Sequence, residues 1–328
     1  MRYILEGLGF YLPEKLVSNQ DLERLVDTSD EWITTRTGIR TRYYAAEHQA
    51  VSDLSLAASQ AALQDAGLTP ADLTHILVAT FTPDLRLPSS ACLLQNMLGA
   101  DKIPAFDLHA ACSGFLYALD VARGFVSLRP DARVLVVGSE KLSSCLDFHD
   151  RSTCVLFGDG AGAAVVTGDH GRQKRCEVLD IILRSDGSMA DLLKIHSGGS
   201  RFPFCPGQEV STDAFVSMQG REVFKSAVRC MVEVSSSLLE KNGLAVVDID
   251  LFIPHQANMR IIDAVAGKLN VAEDRVYVNV NNYGNTSAAS VPIALAEAWQ
   301  TKKIKPGQKV LLCAFGAGFT WGAALLQF

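Results

Sequence analysis

The eight cysteines of this chain, at 92, 112, 145, 154, 176, 205, 230 and 313, include no C-x-x-C pair. Scattered thiols without paired spacing argue against a structural zinc site or a thioredoxin-type redox centre. Long apolar runs are also missing: none approaches the roughly 18 residues that a bilayer-spanning helix needs. The opening "MRYILEGLGFYLPEK" is interrupted by Glu6 and by glycines, which is not the pattern of a signal peptide. Positive charge is not in excess, with 30 Lys plus Arg against 36 Asp plus Glu and a net charge of −6. Nucleic acid is therefore not an expected partner, because a phosphate backbone calls for a basic stripe. The expectation is a reduced, cytoplasmic chain with no membrane partner and no metal site.

What the sequence does have is apolar residues in alternating patterns. Hydrophobic residues make up 48% of the 328 positions and charged ones 20%, enough for a large core and too apolar for a disordered chain. "HILVATF" (75–81), "ARVLVVGS" (132–139), "LFIPH" (251–255) and "QKVLLCAF" (308–315) read as buried strands. "DLSLAASQAALQDAG" (53–67) and "REVFKSAVRCMVEVSSSLLEKNG" (221–243) read as helices closed by glycine. This alternation predicts an α/β protein with a largely parallel sheet.

The pattern also echoes itself. A helix ending at Gly67 precedes "DLTHILVATF", and one ending at Gly243 precedes "DIDLFIPHQAN". "AFDLHAACSGFLYALDVA" (105–122) and "VYVNVNNYGNTSAASVPIALAEA" (276–298) each read as a strand, a small-residue turn and a helix. "LFGDGAGAAVV" (156–166) and "AFGAGFTWGAALL" (314–326) each read as a glycine turn feeding a strand. Two duplicated halves follow, 1–172 and 173–328, with "HSGGSRFPFCPGQEVSTD" (196–213) as a long loop of the kind that often carries function.

In an open α/β sheet, functional groups gather at the carboxyl ends of strands. Cys112, His255 and Asn285 are each placed after such a run, and a duplicated fold would bring them together at the seam. Cys112 precedes a helical pattern, so its thiol is expected near a helix N-terminus, where the dipole favours thiolate. Singly, Cys112 reads as a packed thiol, His255 as a structural histidine and Asn285 as a turn residue. As a set, a thiol, an imidazole and a carboxamide suit thioester chemistry in which N–H donors hold a developing enolate.

"HAACSGF", "IPHQAN" and "YGNTSAAS" together resemble the β-ketoacyl-acyl-carrier-protein synthase III enzymes, as do "TSDEWITTRTGIRTRYY" (28–44), "FGDGAGAAVV" and "FGAGFTWGAALLQF". The resemblance runs in order from "GLGFYLPEK" to Phe328. It implies a thiolase-like fold of two αβαβα halves in five layers, usually in a homodimer. It implies that Cys112 takes an acyl group from acyl-CoA, and that His255 and Asn285 support decarboxylation of malonyl-acyl-carrier protein. The backbone N–H groups of Cys112 and Ala317 would form the oxyanion hole. Trp32, Arg36 and Arg151 would clamp the adenine of CoA, and Gly220, Phe224, Ala257 and Asn258 would line a pantetheine tunnel. Lys225, Arg260 and Lys268 would form a basic rim for the acidic carrier protein, although a solvated charged face explains those three equally well. No cofactor is implied, acyl-CoA being a substrate.

Four positions depart from the pattern of the family. Ser152 stands where glycine is expected, Arg221 where asparagine or a small residue is common, and Ala317 where some members have glycine. Leu87 replaces a phenylalanine that closes the primer pocket of acetyl-preferring members, so a longer or branched primer is an open alternative to acetyl. A relative serving secondary metabolism, of the quinolone-forming type, stays open at this point. A papain-like peptidase shares the order Cys…His…Asn but lacks its signature here. A non-catalytic CoA-binding protein would not need all three polar residues.

Overall fold

The structure is a computed structural model that describes residues 2–169, 176–205, 207 and 211–328. The proposed division at 172/173 falls outside the described residues. Nine strands form one sheet: β1 (Tyr3–Tyr11), β2 (His75–Ala79), β3 (Ala105–Leu108), β4 (Arg133–Glu140), β5 (Gly160–Gly168), β6 (Cys176–Ser185), β7 (Leu251–Pro254), β8 (Lys309–Gly316) and β9 (Thr320–Gln327). Their order is β7-β8-β9-β6-β1-β5-β4-β2-β3. From the β1/β6 seam outwards, each side runs antiparallel, antiparallel, then parallel. The seam itself is short, with Ile4 opposite Glu177 and Leu5 opposite Cys176. The repeat read from the sequence is thus a repeat of topology. Two expectations fail: the sheet is mixed, with five antiparallel and three parallel ladders where a largely parallel one was expected, and "VYVNV" contributes only an isolated bridge, Val276 opposite Phe252, where a strand was expected.

The helices that matter for the site are α1 (Asp30–Thr37), α2 (Val51–Ala66), α3 (Ser90–Leu98), α4 (Gly114–Leu128), α5 (Gly220–Lys241), α6 (Met259–Leu269) and α7 (Ser290–Gln300). One apolar cluster joins Phe115, Leu119 and Val126 of α4 and Val291 and Leu295 of α7 to strand residues from both halves, among them Leu77, Val134, Ile253 and Leu312. α2 and α3 cover the other face of the first half, and α5 and α6 cover the other face of the second. Five layers result, α/β/α/β/α, with α4 and α7 in the middle. The stretch Ala111–Leu128 is apolar and long enough to cross a membrane, but half of it is buried as this central helix.

Small residues set the layer spacing. A Cβ on Gly7 or Gly9 of β1 would meet the Ala62 carbonyl oxygen at 2.1 Å or the Ala62 nitrogen at 2.3 Å, so α2 lies directly on that strand. Gly162 stands against Ile293 of α7 in the same way, at 2.6 Å. Gly138 in β4 touches the carbonyl of Ala288, where a Cβ would sit at 2.3 Å from the oxygen. A backbone contact that close cannot yield as a flexible side chain would. Gly138→Ala is expected to destabilise the fold by about 3 kcal/mol, the upper part of the overpacking range. Scanning calorimetry should show this as a lowered Tm, whereas Gly124→Ala, with open space around its Cβ, should not lower it.

Candidate active site

Three chain segments supply the buried end of the site. After β3 the backbone turns through Ala111, whose φ of 45° is left-handed, and Cys112 follows in a single 3₁₀ turn, Ala111–Ser113, that feeds α4. The Ser113 and Thr320 hydroxyls bond each other at 2.7 Å and both reach the Ala110 carbonyl, fixing this turn to β9. In the second half the same device recurs: Ser287 has a φ of 50° and Ser287–Ala289 forms a 3₁₀ turn that feeds α7. The structural counterpart of Cys112 is therefore Ala288, three residues beyond Asn285. Gly316 completes the packing, since a Cβ there would lie 2.6 Å from the Cys112 nitrogen.

His255 continues β7 by donating its backbone N–H to the Cys313 carbonyl at 2.7 Å. Its Nδ1 faces the Ser290 hydroxyl at 2.5 Å, and a hydroxyl that donates there leaves the proton on Nε2. Gln256 explains the "HQAN" motif. Its Nε2 donates to the Pro254 and Tyr277 carbonyls, and its Oε1 accepts from the Asn279 and Val280 N–H groups. Asn285 is held on both sides by backbone, its N–H donating to Leu156 and its carbonyl accepting from Gly158. Its Oδ1 accepts the Ser287 N–H at 2.8 Å, which leaves the amide NH₂ as the group offered elsewhere.

Cys112, His255 and Asn285 all line one cavity of about 740 Å³. Trp32, Arg36, Gly220, Phe224, Ala257 and Asn258 line it as well, together with Lys225 and Arg260. His255 and Asn285 are buried and Cys112 half-buried, whereas Arg36, Phe224, Lys225 and Arg260 are exposed, so the cavity runs inward from a basic mouth. The Arg36 and Arg151 guanidiniums lie 4.8 and 5.2 Å from the Trp32 ring centroid. Asn258 has a structural task too: its Oδ1 caps α6 at the Arg260 N–H, and its Nδ2 reaches the Arg36 carbonyl.

Four expected residues lie outside the cavity lining. Arg151 adjoins it through Trp32 and donates to the Asp27 carbonyl at 2.9 Å. Ala317 follows Gly316 in the turn between β8 and β9. Lys268 is exposed in the last turn of α6. Leu87 is 85% exposed in the loop before α3. The departures at the mouth fit without strain. Ser152 donates both its N–H and its hydroxyl to Asp150 at 2.9 and 2.7 Å, adding a tie that glycine would lack, and Arg221 is exposed in the first turn of α5.

Electrostatically, the inner end favours neutral groups. Burial pushes the Cys112 thiol up to about 12, and the nearby Glu140 carboxylate adds to the rise. Burial pushes His255 down to about 3, so it is a neutral hydrogen-bonding imidazole.

Sequence reasoning missed Glu140, Ser287, Ser290, Gly316 and Arg42. Glu140 ends "VLVVGSE", a carboxylate at the carboxyl end of an apolar strand, and that signal was available. Arg42 is fully buried and donates to Asn19 Oδ1 and the Val155 carbonyl, both at 2.8 Å. It lies beside Gly284 and thereby anchors the segment that carries Trp32 to the loop that carries Asn285.

Fold and relatives together define a thiolase-like condensing enzyme, an acyltransferase. Residues 106–187 match the family model described as 3-oxoacyl-[acyl-carrier-protein (ACP)] synthase III, and residues 239–328 match the model of its C-terminal part. The chain belongs to the β-ketoacyl-[acyl-carrier-protein] synthase III family. It is 56% identical to the enzyme of that name from Oleidesulfovibrio alaskensis, over 99% of this chain and 98% of that one. Among solved structures it is similar to the 3-oxoacyl-[acyl-carrier-protein] synthase III of Aquifex aeolicus, with 47% identity, a TM-score of 0.90, and 99% and 100% of the two chains covered. The Thermus thermophilus enzyme is likewise similar, with 44% identity and a TM-score of 0.90 over 99% of this chain and 98% of that one.

Gly316→Ala is expected to displace the Cys112 turn. Alkylation of Cys112 by iodoacetamide, followed by peptide mass mapping, should slow by about tenfold or more, as a misplacement of about 1 Å costs on that scale. The exposed Cys92 and Cys205 should react as before and serve as internal controls.

Proposed function

We propose that the chain catalyses decarboxylative Claisen condensation of a short-chain acyl-CoA with malonyl-acyl-carrier protein, giving the 3-oxoacyl-carrier protein that initiates fatty-acid synthesis. The observation that carries this reading is the convergence of Cys112, His255 and Asn285 at the buried end of one cavity with a cationic, indole-bearing mouth. In the first stage, Cys112 Sγ attacks the thioester carbonyl carbon and CoA leaves as its thiol. The oxyanion is held by the Cys112 and Ala317 backbone N–H groups, each such donor being worth about 3 kcal/mol. In the second stage, malonyl-carrier protein loses CO₂, and the thioester oxygen of the enolate accepts from His255 Nε2–H and the Asn285 NH₂. The enolate carbon then attacks the acyl carbon, and Cys112 departs.

Trp32, Arg36 and Arg151 would receive the adenine of CoA, since an indole beside guanidiniums stacks on a flat purine. Gly220, Phe224, Ala257 and Asn258 would line the path of pantetheine. Lys225, Arg260 and Lys268 would meet the acidic carrier protein. Leu87, exposed in a single subunit, would shape the primer pocket only once covered by a second copy of the chain, which makes a homodimer part of this reading. The reaction needs no cofactor. A cytoplasmic setting accords with eight free cysteines.

Intact-protein mass should show one acyl group after incubation with acetyl-CoA or a short homologue, and Cys112→Ala should abolish it. A panel of acyl-CoAs read the same way tests the primer, and loading by aromatic primers alone would favour the secondary-metabolism relative. His255→Ala should still load but lose at least about 100-fold in decarboxylation of malonyl-carrier protein, the typical cost of an oxyanion donor. Unchanged decarboxylation would remove His255 from its role. KM for the carrier protein should rise with salt, because screening acts within about 10 Å at 0.1 M.

A further inference from the structure

Among the described residues, Arg42 is the largest fully buried side chain, and it does not line the cavity that holds Cys112, His255 and Asn285. A guanidinium is seldom buried unless its donors are engaged. One arm donates to Asn19 Oδ1 at 2.8 Å. Asn19, itself fully buried, donates through Nδ2 to Asp30 Oδ1 at 2.7 Å and to the Ile39 carbonyl at 2.9 Å. A carboxamide thus stands between the cation and a carboxylate in the first turn of α1, the helix that carries Trp32 and Arg36. The other arm of Arg42 donates to the Val155 carbonyl at 2.8 Å, and Val155, Leu156 and Phe157 form one wall of the cavity. The next carbonyl along, that of Leu156, accepts the Asn285 N–H at 2.8 Å, and the Asn285 carbonyl accepts the Gly158 N–H at 3.0 Å. The stem of Arg42 fixes the same place from the other side. A Cβ on Gly158 or Gly284 would lie 3.1 or 3.3 Å from the Arg42 Cβ, so the glycines that flank the Phe157–Asn285 bridge close on it directly. The strand Thr41–Tyr44 adds the Thr41 hydroxyl, which donates to the Asn282 carbonyl at 2.7 Å, and the Tyr43 carbonyl, which accepts the Asp159 N–H at 2.8 Å. Both backbone hydrogen bonds of Asn285 therefore end one residue from an atom held by Arg42 or by its strand.

We propose that Arg42 is a positioning residue for decarboxylation, setting the place of the Asn285 carboxamide by fixing the peptide wall to which Asn285 is bonded. The Asn285 Oδ1 is taken up by the Ser287 N–H, so the direction of its NH₂ follows its backbone. Cys112 and His255 are held elsewhere, the first by the Ser113–Thr320 pair and the second by the Cys313 carbonyl and Ser290, so the effect of Arg42 falls on Asn285. The forked guanidinium suits this task because its two arms reach Asn19 and Val155 at once, whereas the single ammonium of a lysine spans one of them.

The inference rests on the enolate role given to Asn285 above, and of its two tests one needs no activity. Hydrogen–deuterium exchange of wild type, Arg42→Met and Arg42→Lys is followed by peptide mass. In Arg42→Met, peptides covering 155–159 and 284–288 should exchange about tenfold faster or more, while peptides of α2 and α5 exchange as in wild type. Exchange unchanged throughout, or accelerated equally in the controls, overturns the positioning role. Where Arg42→Met does not fold, Arg42→Lys, which keeps stem and charge, is read in its place. The second test is a double-mutant cycle on decarboxylation of malonyl-carrier protein. Arg42→Met alone should lower kcat by about 100-fold, the cost of a misplacement of about 1 Å, with KM for the carrier protein unchanged. Arg42→Lys should recover part of that loss. Added to Asn285→Ala, Arg42→Met should cost nothing further, because the group it positions is gone. Losses that multiply overturn the proposal. Wild type that does not decarboxylate malonyl-carrier protein would remove the condensation reading and leave the exchange result to decide on Arg42.

Discussion

The site depends on two tight turns pressed against each other. Ala111–Ser113 and Ser287–Ala289 each enter a central helix through a left-handed residue, and the backbone of one half contacts that of the other with no intervening side chain. Three glycines permit this. Gly138 admits the Ala288 carbonyl, Gly114 stands 3.5 Å from the Ala288 methyl, and Gly316 admits the Cys112 nitrogen, distances given to the Cβ each glycine lacks. Thiol, amide and imidazole are therefore positioned by rigid backbone. Such preorganisation is what stabilisation of developing charge requires.

The same packing sets the electrostatics. Burial raises the thiol pKa and holds the imidazole neutral, so the inner end favours uncharged polar groups. Charge is displaced to the mouth, where Arg36, Arg221, Lys225 and Arg260 are exposed in a chain whose net charge is −6. Lys225 is tempered by Glu222 at 2.9 Å, and Arg260 reaches the Thr35 carbonyl.

Much of this was legible in the chain. Apolar runs located β2, β4, β7 and β8, and the echo between halves corresponds to the same run of strand directions on either side of the β1/β6 seam, whereas the expected parallel sheet proved mixed, because periodicity does not report strand direction. That Cys112, His255 and Asn285 meet at one cavity was legible from their motifs and their placement after strand-like runs, although Asn285 follows a short helix, Val280–Tyr283, where the sequence suggested a strand. What escaped was non-local. Ser290 meets His255 across 35 residues, Ser287 meets Glu140 across 147, and Arg42 meets Val155 across 113. Periodicity reports which face a residue occupies and says nothing of its partner on another element. The burial that raises the thiol escaped for a related reason, since a helix terminus is visible in sequence and its surroundings are not.

In the proposed reaction, the acyl group on Cys112 is the electrophile that the malonyl-derived carbanion attacks. The most direct measurement starts from enzyme loaded with carbonyl-¹³C acetyl-CoA and freed of excess primer, then chased with malonyl-carrier protein. The label should leave Cys112 and appear as the ketone carbon of the 3-oxoacyl-carrier protein. Label that stays on Cys112, or leaves only as free acetate while CO₂ is released, would contradict that reaction.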